Sequence, residues 1–150
     1  MDDDDFVRNL GAQLLQRSKA EEEKVKKENR DFDLIEAKAP ADWKKLKAWL
    51  KEKITQLPPD LVTYEEKLDS VEIKYSTARE LRTTQIVFRQ VGKVVTQIDV
   101  KAKGGGTDGE LAFECEVQGQ NLIWFYATNQ TARFDPAGMG QRILTEATRG

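Results

Sequence analysis

Hydrophobic and polar positions divide this 150-residue chain into a helical first third and a strand-rich remainder. Near the start, Phe6, Val7, Leu10, Leu14 and Leu15 recur at three- and four-residue spacings, the repeat that gathers side chains on one helix face. The repeat lapses after Leu15, and Val25 is the one large aliphatic residue before Asn29. The segment from Lys19 to Asn29 still favours helix through good helix formers and the pairs Glu22–Lys26 and Glu23–Lys27. A first helix is therefore expected from about Asp4 to Asn29, its first half docked and its second half solvated or against a partner. The acidic run Asp2–Asp5 suits a helix N-terminus, where negative charge complements the dipole.

Phe32, Leu34 and Ile35 re-anchor the chain, and Pro40 predicts a restart. A second helix is expected from about Ala41 to Gln56, with Trp43, Leu46, Leu50, Ile54 and Leu57 on one face and Trp49 widening it. Lys44, Lys45, Lys47, Lys51 and Lys53 take the other side, and Pro58-Pro59 end it. A short helical turn is expected over Leu61–Leu68.

Alternation with a period of two then predicts five strands. Val71, Ile73 and Tyr75 share one face, as do Thr84, Ile86 and Phe88, and then Val94, Thr96, Ile98 and Val100. Gln90-Val91-Gly92 fits a three-residue hairpin loop, which pairs Phe88 with Val94 and Ile86 with Thr96. Residues 103–109, with their run of glycines, form a flexible connection to the last hairpin. There Gly119-Gln120 fits a type II′ turn and sets Val117 opposite Leu122, Cys115 opposite Trp124 and Phe113 opposite Tyr126. The same register places Glu116 beside Ile123 and Glu114 beside Phe125 on the outer face. A closing helix follows, with Asp135 as N-cap, Pro136 at its first position and a small-residue face of Ala137, Gly140, Ile143, Leu144 and Ala147.

The expected fold is α+β. Two N-terminal helices and a C-terminal helix pack on one face of a five-stranded antiparallel meander. The chain forms a single domain over 1–150, with a helical part over 1–57, a sheet over 70–128 and the closing helix over 135–149.

Chemistry is bounded mainly by absences. The sequence has no His and one Cys, which excludes Ser-His-Asp and Cys-His catalysis, thiolate metal clusters and internal disulfides. No metal ligand set, catalytic residue or cofactor is assigned. Residues 1–57 carry 13 acidic and 13 basic side chains and the rest 13 and 11, so no basic surface for nucleic acid is expected. No apolar run is long enough to insert in a membrane, and with no secretory leader pattern a cytoplasmic location is expected. Arg79, Arg82, Arg89 and Arg133 would hold an anion if they converged.

Three functional expectations remain. The first is a non-catalytic interaction or adaptor domain, with a protein partner or a second copy on the outer sheet face at Val87, Val95, Ile123, Phe125, Glu114 and Glu116. The second is a carrier of a small hydrophobic ligand, held in a cavity among Phe113, Trp124, Tyr126 and Trp43. A carboxylate-dependent enzyme comes third, using Glu114, Glu116 and Asp99.

Overall fold

A computed structural model describes residues 2–92 and 95–149 of the chain. One helix, α1, runs unbroken from Asp3 to Thr55 and replaces the two helices expected. Seven strands follow: β1 (Val62–Glu66), β2 (Ser70–Ser76), β3 (Leu81–Val91), β4 (Val95–Lys103), β5 (Gly109–Gln118), β6 (Asn121–Tyr126) and β7 (Asn129–Phe134). They pair antiparallel in chain order, so the sheet is a simple meander. Helix α2 (Pro136–Ala147) closes the fold. The α+β class and antiparallel sheet match expectation, while the helix and strand counts do not.

Pro40 is the reason for expecting two helices, since an interior proline removes one hydrogen bond and crowds the carbonyl four residues back. That carbonyl belongs to Glu36, and the Gln90 side-chain amide lies 3.5 Å from it and from the Ile35 carbonyl. On the same face Ala39, Trp43, Leu46, Leu50 and Ile54 are buried against sheet and α2. A sheet-borne donor for the freed carbonyl and a docked face on the proline's C-terminal side carry the helix through.

Only the C-terminal part of α1 docks. Its first thirty or so residues extend away from the sheet, Phe6 to Leu15 included, contrary to the expected docked first half. Asp2 caps the helix by accepting from the Asp4 amide, and Asp3, Asp4 and Asp5 fill the first turn as expected.

The two unexpected strands are the sheet edges. Val62–Glu66, expected as a helical turn, pairs with β2 through Val62–Tyr75 and Tyr64–Ile73. Asn129–Phe134 is polar and pairs irregularly with β6, shifting register between Phe125 and Tyr126. The β5–β6 hairpin has the predicted register at all five expected pairs. Gly119 is at φ 64°, as the first central position of a type II′ turn requires, and among the described residues positive φ is confined to glycines. The β3–β4 register differs: Phe88 faces Ile98 and Ile86 faces Val100, because the chain reverses beyond Val91 and Val95, which face each other. Val94, the partner expected for Phe88, lies outside the described residues.

The core lies between the inner sheet face and the two helices. It contains Trp43, Leu46, Leu50, Ile73, Ile86, Ile98, Phe113, Trp124, Met139 and Ile143. Asp135 caps α2 by accepting from the Gly138 amide at 2.7 Å. A Cβ on Gly140 would lie 2.3 Å from the Trp49 ring, so the small-residue face of α2 is what allows the two helices to approach.

Candidate interaction surface

Each chemical expectation has a definite place in the fold. Arg82 is buried and bonded on three sides: Nε donates to the Glu146 carbonyl, Nη2 to Glu146 Oε1 at 2.8 Å, and Nη1 to the carbonyls of Gly104 and Thr107. The glycine-rich connection is wrapped around this guanidinium rather than loose. A Cβ on Gly109 would fall 1.9 Å from Glu146 Oε1, and one on Gly104 2.3 Å from the Leu81 carbonyl oxygen. Arg89 pairs with Asp99 at 2.8 Å, and Arg133 pairs with Glu116. These arginines neutralise separate carboxylates and do not converge. Asp99 and Glu116, two of the three carboxylates expected for acid–base work, are thereby held in ion pairs. No group of three or more His, Cys, Asp or Glu is placed to hold a metal among the described residues.

The residues expected to line a ligand cavity are core. Phe113 and Trp124 are fully buried and Trp43 nearly so, stacked on Phe88 with centroids 5.6 Å apart. Trp124 Nε1 donates to Asp42 at 2.8 Å, tying β6 to α1. Tyr126 stacks on Phe113 and accepts from Arg142 Nε at 2.7 Å. An open apolar cleft of about 600 Å³ lies elsewhere, between the end of α1, β1, β2 and α2. Trp49, Leu57, Leu61, Tyr75 and Leu144 line it.

Val87, Ile123, Phe125, Glu114 and Glu116 lie on the outer sheet face; Ile123 and Phe125 sit beside Glu116 and Glu114 as expected, whereas Val87 faces Asp99 in the β3–β4 register that differs from expectation. The face is less apolar than the sequence suggests. Phe125 is 5% exposed, and the Arg133 guanidinium sits 5.2 Å from its ring centre. Val87 and Ile123 are half-buried among charged neighbours, and Val95 is partly exposed where the sheet ends near α1. Cys115 is half-buried on the inner face; burial pushes its thiol up to about 12, and the Asp42 and Glu114 charges add to the shift.

The exposed apolar surface is concentrated on α1. Phe6, Val7, Leu10, Leu14, Leu15, Val25 and Phe32 are 38 to 66% exposed. Monomeric surfaces carry scattered apolar residues routinely, but a contiguous stripe marks a contact. Sequence patterning found these residues and assigned them to the wrong neighbour. The stripe is legible; that the sheet ends before it is not. At the root of this projecting arm, Phe32, Ile35, Val95, Thr96, Gln97, Glu114 and Cys115 surround a groove of about 350 Å³. Comparison with known proteins finds no matching family, no similar curated protein and no similar solved structure.

Proposed function

We propose that this chain is a non-catalytic interaction module in which the sheet and α2 anchor a helical arm, residues 3–33, that captures a protein partner. One observation carries this reading: five large apolar residues within ten positions, Phe6 to Leu15, face solvent on a stretch of helix that lies beyond the sheet. Burying each is worth about 1.5–3 kcal/mol, a strong incentive for association. The arm is about 45 Å long at 1.5 Å per residue, long enough to present several helical turns. Its acidic first turn disfavours anionic membranes and nucleic acid, which leaves protein. A lone, half-buried cysteine fits a cytoplasmic setting. The outer sheet face takes a smaller part, through Val87, Val95 and Ile123, because Phe125 already has a cover in Arg133.

A photo-crosslinking side chain at Leu14, tested in cells beside one at Glu72 on the outer face, addresses this directly. Adducts at Leu14 and few at Glu72 are expected. Adducts confined to Glu72, or none, contradict the arm as the binding element.

A second reading, small-ligand carriage, is favoured by the open apolar cleft at Trp49. A ligand there would change Trp49 emission and leave a Trp49→Phe variant unresponsive. A fluorescence screen with fatty acids and other apolar metabolites that gives no response excludes it.

A further inference from the structure

Resting on the arm as the binding element, we infer that its partner is a second copy of this chain, with the two arms antiparallel and each tip seated at the other's root. The arm carries an unbroken ladder of alternating four- and three-residue steps, Val7, Gly11, Leu14, Ser18, Glu21, Val25, Glu28, Phe32 and Ile35. This is the spacing of a two-helix seam. The same steps run on through Ala39 and Asp42 to Leu46, and Ala39 and Leu46 are fully buried, so the helix face that carries the exposed Val7, Leu14, Val25 and Phe32 is the face that docks further along the helix.

Pairing two ladders head to tail places Val7 beside Phe32 and Leu14 beside Val25. All four residues are exposed in the single chain. Glu28 then meets Gly11, and Glu21 meets Ser18. A parallel pair would instead stack Glu21 on Glu21 and Glu28 on Glu28, bring two Asp2–Asp5 clusters together, and crowd both globular bodies at one end. Charge and bulk therefore select the antiparallel arrangement.

The groove at the arm's root supplies the endpoint. Phe32 and Ile35 form one wall and Val95 and Cys115 another, and the antiparallel register delivers the partner's Val7, with Phe6 next to it, to that wall. An overlap from residue 7 to residue 32 is about 39 Å long, and each helix is about 10 Å across. The two faces cover roughly 800 Å² before side-chain relief and the two grooves are counted. The two root grooves supply the remainder of the roughly 1,000 Å² a specific contact needs.

Sedimentation equilibrium of the full chain is expected to give twice the chain mass, and Leu10→Glu/Leu14→Glu the single mass. Neither leucine is buried in the single chain, so the variant's near-ultraviolet circular dichroism should not move, and its urea midpoint should match that of the parent diluted until the dimer dissociates. In a Cys115→Ala background, Val7→Cys mixed with Phe32→Cys should form disulfide-linked pairs, while Val7→Cys alone should not. Self-crosslinking of Val7→Cys, a dimer that survives the double glutamate variant, or a monomeric full chain overturns the inference. A monomer whose Leu14 still crosslinks to a different protein overturns only the second copy. A monomer with no Leu14 adduct removes the arm reading as well.

Discussion

Arg82 illustrates how a single residue organises a region that sequence alone reads as slack. It is 2% exposed and faces Glu146, which is 4% exposed, so both charges have left water. Removing one partner leaves the other buried and uncompensated, a loss of about 3–5 kcal/mol, whereas replacing both by apolar residues costs much less. Arg82→Met is therefore expected to lower the unfolding free energy by that amount in urea titration, and Arg82→Met/Glu146→Leu to recover a large part of it. Equal losses in the single and double variants would show that the pair is not coupled. Cys115 makes a kinetic prediction. Its thiol stays protonated in the fold to about 12, whereas an unfolded cysteine ionises near about 8.5. Alkylation at pH 8 should be at least ten times slower in the folded chain than in urea. The linked stabilisation is complete below the unfolded value and is lost as pH rises from there toward the folded one.

Among the elements, α1 turns on Pro40. Interior proline costs about 3 kcal/mol in a helix, and here the Gln90 amide stands in for the missing donor. Pro40→Ala should raise stability by about 1–3 kcal/mol. Gln90→Ala should destabilise the parent but be close to neutral beside Pro40→Ala, because the backbone amide restored at position 40 then bonds the Glu36 carbonyl itself. Additive effects in this denaturation cycle would refute the substitution of one donor for the other. No local pattern around Pro40 reveals a donor fifty residues away, which is why the sequence suggests a break. The hairpins show the same limit. Gly119-Gln120 admits one tight turn, so the β5–β6 register follows from the residues themselves. Gly92 can end a loop or begin one, and both choices keep Ile86, Phe88 and Ile98 on one face, so alternation cannot separate them. The edge strands are short and carry Glu65, Glu66, Asn129 and Gln130, the polar character that protects sheet edges and hides them from hydrophobic patterning.

For the whole molecule, the distribution of apolar surface matters more than its amount. The docked part of α1 and the sheet bury a complete core, and the remaining large apolar residues of α1 collect on the arm. A helix stripe has the same spacing whether it meets its own sheet or another chain, so sequence locates Phe6, Val7, Leu10 and Leu14 without saying what they touch. The sheet's extent decides that, and extent depends on long-range pairing. An unpacked helix of this length continues from a docked nucleus but frays readily, so its backbone amides report directly on whether a partner holds it. Amide hydrogen exchange of the full chain at low and high protein concentration is the most direct test. Protection over residues 6–32 is expected to rise with concentration while residues 43–54 stay constant. Rapid exchange of the arm at every concentration, or protection that grows instead on the outer sheet face, would contradict the account.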